Sequence, residues 1–158
     1  ALPRPSGQRH AAVVADAAQP ALLGERVAAL AGERPVQILV NNTGGPPGGA
    51  AHRAGPAEFV AAFERHLLAH HALVQAVLPG MREAGWGRVV NVISTSVREP
   101  IAGLGVSNTV RGAVAAWAKT LSRELAANGV TVNNVLPGYT RTARLEQILG
   151  DRAAAAGD

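Results

Sequence analysis

Gly87-Arg88-Val89-Val90-Asn91-Val92-Ile93-Ser94 reads as a strand that ends on a serine. Its apolar residues run almost unbroken, the pattern of a parallel strand covered on both faces. After a loop comes Ser107-Asn108-Thr109-Val110-Arg111-Gly112-Ala113-Val114, the opening of a helix rich in small residues. A buried strand followed by a crossover helix is the repeating unit of a parallel α/β sheet.

The unit recurs on both sides. Upstream, Val36 to Val40 is predicted as a strand. It runs into Asn41-Asn42-Thr43-Gly44-Gly45-Pro46-Pro47-Gly48-Gly49, a loop that neither helix nor strand tolerates. Pro56 to Met81 is predicted as one long helix, with Phe59, Phe63, Leu67, Val74 and Val77 facing inward. Further upstream, Ala12 to Ala15 is predicted as a short strand ended by Asp16. Pro20 to Leu30 is predicted as a helix carrying Leu23, Val27 and Leu30 on one face. Downstream, the helix from Ser107 runs to Asn128, where Asn128-Gly129 closes it. Thr131 to Leu136 is a further strand, Pro137-Gly138 breaks it, and Thr142 to Leu149 is predicted helical. The tail from Ala153 to Asp158 carries no pattern. Residues 1–158 therefore read as a single domain.

Composition bounds the function. Of 158 residues, 47% are hydrophobic and 16% charged, which describes a globular chain rather than a disordered one. Aromatic content is 3%, so the core is built from Ala, Val and Leu. The chain has no Cys, which excludes disulfides and thiolate metal sites. The net charge of +4 comes from scattered Arg with one Lys, Lys119. No basic run interleaves with aromatics, so nucleic acid is not the expected partner. No apolar run approaches a membrane span, and the first residues lack the apolar core of a signal peptide. The expectation is a cytoplasmic protein without a membrane partner.

Four motifs in order resemble the short-chain dehydrogenase/reductase family, in its β-ketoacyl-ACP-reductase-like branch. They are Asn41-Asn42-Thr43-Gly44 after a strand, the strand ending at Ser94, the helix from Ser107, and Pro137-Gly138-Tyr139-Thr140-Arg141-Thr142. The resemblance implies a Rossmann-like, doubly wound, three-layer α/β fold. It also implies that this chain spans the middle of that fold, lacking the N-terminal β-α-β part, since no G-x-x-x-G-x-G is present. The cofactor implied is NAD or NADP, and the substrate a small carbonyl or alcohol.

The resemblance also implies the site. Ser94 stands where a Ser polarises the substrate carbonyl. Ser107, 13 residues on (107 − 94), stands where the family has its proton-exchanging Tyr. Arg111 stands where it has a Lys that lowers the Tyr pKa and binds the ribose. His66 stands where a structural Asn distorts the long helix and holds a relay water, so His66 is a candidate to hold that water or to relay protons with a pKa near neutral. Asp16, Asn42, Thr43, Gly44, Pro137, Gly138, Thr140 and Thr142 are the implied cofactor contacts, together with Arg111. Asp16 reads equally well as a helix cap.

A serine hydroxyl is a far weaker acid than a Tyr phenol, whose reference pKa is about 10, and Arg does not lend a proton at working pH. Tyr139, the only tyrosine, could substitute as an acid but fits a packing role better. Related dehalogenases use Ser, Tyr and Arg, so Arg111 alone is compatible with chemistry. A non-catalytic relative, or a hydride-independent lyase or dehalogenase-like enzyme built on Ser94 and Arg111, are the alternatives. His66 and His70 share a helix face but lack a third ligand, so no metal is expected.

The helices predicted at Pro56–Met81 and Ser107–Asn128 carry more small and apolar residues than one sheet face needs, among them Gly112, Ala113, Ala115 and Trp117. Small residues let helices approach closely. The expected outcome is a dimer or tetramer by light scattering at micromolar concentration; a monomer with these helices exposed is the opposing result.

Overall fold

The computed structural model describes residues 7, 10–138, 140–141 and 143–156. In chain order these form α1 (Pro20–Glu33), β1 (Ile38–Asn41), α2 (Pro56–Phe63), a π-helical turn (Glu64–Leu68), α3 (Ala69–Glu83), β2 (Gly87–Val92), α4 (Gly105–Glu124), β3 (Val130–Val135) and α5 (Ala143–Ala156). Short 3-10 turns fall at Ala51–Arg53, Thr95–Val97 and Ala126–Asn128.

The three strands are parallel, in the order β1-β2-β3. They are adjacent, as expected for the strands predicted from Val36, Val89 and Thr131. The register sets Leu39, Val89 and Val132 side by side. These three join Val74, Val77 and Met81 of α3 and Ala118 of α4 in the main core. A second cluster holds α2 on α4, with Ala62 against Val106 and Val110. α1 packs on α3 and contributes Val27.

Local chemistry explains the ends. Pro20 and Pro56 open their helices, where the missing N–H costs nothing. The Glu58 carboxylate accepts the Gly55 N–H at 2.9 Å. Gly129, at φ 69°, follows the turn after α4, and a Cβ there would lie 2.1 Å from the Gly85 carbonyl oxygen. Only glycine satisfies both conditions.

Several expectations need correction. Ala12–Ala15 is not a strand: residues 10–16 have no regular structure, and Val14 is 88% exposed. A strand without a partner has no ladder to hold it, and no strand among the described residues lies beside β1 on that side. The long helix is continuous in chain but contains the π turn centred on His66. α1 extends to Glu33, α4 begins two residues before Ser107, and its α-helical part ends at Glu124. α5 continues through Ala153–Ala156, where no pattern was evident. Asp16 does not cap α1 directly, since Gln19 is the N-cap.

Burial along β2 alternates, and β1 and β3 follow suit. Helices α3 and α4 cover one face. On the other, Ile38 is 59%, Val40 58% and Val135 50% exposed, with Val90 and Val92 half-buried between them. The described residues thus supply two layers, and the nearly continuous apolar run in β2 does not reflect two covered faces here.

On the covered face three asparagines stand in register, Asn41, Asn91 and Asn134. Asn41 Nδ2 donates to Asn91 Oδ1 at 2.8 Å, and Asn91 Nδ2 donates to Asn134 Oδ1 at 3.0 Å. Asn41 and Asn91 are fully buried. Asn91→Ala would strand a buried donor on Asn41 and an acceptor on Asn134, each costing roughly 1–3 kcal/mol. The expected loss is about 3 kcal/mol, read as a shifted urea midpoint with an unchanged slope.

Candidate active site

Ligands of open α/β sheets bind beyond the carboxyl ends of the strands, and the expected residues fall there. Asn42, Thr43 and Gly44 follow β1, Ser94 follows β2, and Pro137 and Gly138 follow β3. The Ile93 N–H donates to the Val135 carbonyl at 2.9 Å and the Thr95 N–H to the Pro137 carbonyl at 3.4 Å, so the Ser94 and Pro137 loops run side by side. The Pro/Gly loop is tied to the start of α4: Gly49 N–H donates to Gly103 O at 2.7 Å, and Gly105 N–H to Gly49 O at 2.9 Å. A Cβ on Gly105 would sit 2.3 Å from the Ala51 nitrogen, so the close approach requires glycine.

Ser94 is half-buried and its Oγ accepts the Ser96 N–H at 3.1 Å. Its proton remains available to donate. Ser107 and Arg111 lie one turn apart on α4, so they share a face. Arg111 is buried, and its Nη1 donates to the Val92 carbonyl at 3.0 Å, two residues before Ser94. That bond brings α4 onto the end of β2. Burial lowers the Arg111 pKa from its usual range.

His66 is the residue the structure changes most. It is buried at the π turn, a feature often found at functional sites. Thr43 Oγ1 lies 2.6 Å from His66 Nδ1 and 3.5 Å from His70 Nε2. His70 is wholly buried, its ring 6.4 Å from that of His66 at a steep angle. Burial first, then the nearby Arg111 charge, pushes His66 down to about 3 and His70 to about 4. This corrects the expectation of a near-neutral pKa: both rings are neutral at physiological pH. His70 was not among the expected site residues, although its spacing of four from His66 was a visible signal; its bond partner, 27 residues upstream, was not.

A cavity of about 250 Å³ opens between the Pro/Gly loop and α2, walled in part by Gly44, Pro46, Ala62, Arg65, His66 and Val106. A smaller one of about 210 Å³ adjoins it past Pro47 and Glu58. A larger groove, about 500 Å³, runs along β3 and α4 past Lys119 and Thr131, away from these residues.

The other expected contacts do not all converge. Asp16 is exposed and accepts the Ala18 N–H at 2.9 Å, a local turn. Thr140 is exposed. Thr142 and Tyr139 lie outside the described residues.

These features define an open parallel α/β protein with its polar groups gathered at the strand ends. The family model described as short chain dehydrogenase matches residues 4–153, and the chain belongs to that family. It is 36% identical over 107 residues to the 3-oxoacyl-(acyl-carrier-protein) reductase FabG of Vibrio cholerae, covering 68% of this chain and 44% of the relative. It is 30% identical over 116 residues to the acetoacetyl-CoA reductase of Cupriavidus necator, covering 73% and 47%. Among solved structures, a gluconate 5-dehydrogenase from Burkholderia cenocepacia in complex with NADP and tartrate superposes with TM-score 0.79 at 26% identity, covering 88% of this chain and 55% of that one. The chain spans about half the length of the curated relatives it matches.

The histidine pair makes stability depend on pH. Both pKa values are lower folded than the ordinary 6.5, so below pH 6.5 the unfolded chain binds more protons. Their neutral burial therefore costs stability as pH falls, by about 1.4 kcal/mol per unit per histidine. The penalty levels off below about pH 4 for His70 and about pH 3 for His66. The urea midpoint is expected to drop steeply from pH 6.5 to 4, and His70→Gln to remove roughly half of that slope.

Proposed function

We propose that this chain is part of an NAD- or NADP-dependent oxidoreductase acting on a small carbonyl or alcohol substrate, with the usual Tyr and Lys replaced by Ser107 and Arg111. The observation that carries this reading is the gathering of the Asn42–Gly44, Ser94 and Pro137–Gly138 segments at the same end of three adjacent parallel strands. The ketoreductase and NADP-bound relatives support it.

The residues fit the nicotinamide-ribose part of such a cofactor. A side chain added at Gly44 or Gly138 would meet nothing within 4 Å, so the backbone is open to close approach there. Asn42 and Thr43 would flank the ribose, Arg111 would present the guanidinium N–H groups not spent on Val92, and Pro137, Gly138, Thr140 and Thr142 would border the nicotinamide and pyrophosphate. Asp16 is kept as the adenine contact. When bound, the nicotinamide supplies or takes the hydride at the substrate carbon. The Ser94 hydroxyl donates a hydrogen bond to the substrate oxygen, and its own oxygen is steadied by Ser96. Ser107 is a poor acid in the Tyr position, so carbonyl reduction is slow.

A second reading, a non-catalytic relative, draws on the Arg111 bond to Val92: a buried cation tied to the main chain by that bond braces α4 against β2 without any ligand.

Reduced-nicotinamide absorbance, followed with a panel of ketones and alcohols, tests the proposal. Wild type is expected to turn over weakly. Ser107→Tyr with Arg111→Lys is expected to raise ketone reduction at least tenfold, since a positioned acid contributes about 10²–10⁴-fold. Fast wild-type reduction that survives Ser94→Ala would count against this placement of the site.

A further inference from the structure

The hydrogen bonds from Thr43 to His66 and His70 leave little choice about where the protons lie. Thr43 has one hydroxyl proton and two imidazole neighbours, at 2.6 and 3.5 Å. It gives that proton to only one of them. If Thr43 donated to His70 Nε2, neutral His70 would carry its proton on Nδ1. That nitrogen is buried and has no hydrogen-bond partner among the described residues, and a buried N–H without an acceptor is a rare and costly arrangement. The opposite direction avoids it. His70 Nε2–H donates to Thr43 Oγ1, Thr43 donates across the short contact to His66 Nδ1, and His70 keeps only a bare lone pair at Nδ1. His66 then carries its proton on Nε2. Burial, and then the nearby Arg111 charge, keep both rings neutral, so neither gains a second proton.

The same arrangement offers no relay through the described residues alone. Passing a proton outward from His66 would require His70 to be resupplied at Nδ1, which nothing reaches among the described residues. The His66 ring forms part of the wall of the 250 Å³ cavity, together with Gly44, Pro46, Ala62 and Val106. Nδ1 is held by Thr43, so Nε2 is the nitrogen left to face a ligand.

We propose that His66 is a neutral hydrogen-bond donor to a substrate oxygen in this cavity, and that Thr43 and His70 are positioning residues that fix its tautomer. This rests on the oxidoreductase reading and deepens it: the ligand is a small carbonyl compound with a second oxygen that enters this cavity, apart from the carbonyl oxygen that meets Ser94, which is not among the residues of its wall. The role needs no proton transfer from His66. It needs a donor held in place before the ligand arrives, so that little ordering is lost on binding.

Long-range proton–nitrogen correlation NMR on the 15N-labelled, full 158-residue chain reads the tautomer directly. His66 is expected as the Nε2–H form at pH 7. Thr43→Val should mix the two forms, and Thr43→Ser should restore the first. A His66 Nδ1–H form in wild type, or a tautomer indifferent to Thr43→Val, overturns the positioning. Titration with levulinate, a stable keto acid, is expected to shift the His66 Nε2 signal, with the shift weakened in Thr43→Val and recovered in Thr43→Ser. An unmoved signal at saturating levulinate overturns the donor role. These readouts do not depend on turnover, so an inactive chain with the expected tautomer and shift would remove the oxidoreductase reading and leave the donor standing.

Discussion

The asparagine ladder is the constraint on which the rest depends. Three primary amides in register, on the helix-covered face, link all three strands by side chain as well as by main chain. In a dry interior each amide that loses its partner costs on the order of a kcal/mol or more. A one-residue slip would send the whole set to the uncovered face, and a two-residue slip would oppose amides to valines. The ladder therefore holds the strand ends level. Level strand ends are what allow the Thr43, Ser94 and Pro137 loops to border one region.

Much of this was legible in the chain. The three strands, their helices and the Asn128-Gly129 stop follow from periodicity and from glycine chemistry, both local. Local reading failed where the answer depended on a distant partner. Ala12–Ala15 has strand-like residues but nothing to pair with. The apolar run in β2 reads as a strand covered on both faces, and the described residues cover one of them. The Thr43–His66 bond joins residues 23 apart, and the depressed histidine pKa values arise from burial and from Arg111, an element away. The family resemblance marked position 66 as special, and the helix is distorted there; it carried no information about a second histidine below.

The electrostatics of the region are set by burial and by two guanidinium groups, Arg111 and, for His66, Arg65. Arg111 is buried, and among the described residues no carboxylate pairs with it, while the two histidines stay neutral. The local charge is therefore steady across the physiological pH range, and the region favours electron-rich groups throughout. Near Arg111 lie the neutral imidazoles of His66 and His70, so the charge that the surroundings feel comes from fixed guanidinium groups rather than from a group that titrates near neutral pH.

The one-sided sheet has a thermodynamic consequence. Ile38, Val40 and Val135 already meet water in the folded chain, so unfolding adds less new apolar surface than the length of the chain would suggest. Heat-capacity increments and denaturant slopes both scale with the surface newly exposed. For the described residues taken alone, both quantities are therefore smaller than for a domain of equal size whose sheet is covered on both faces.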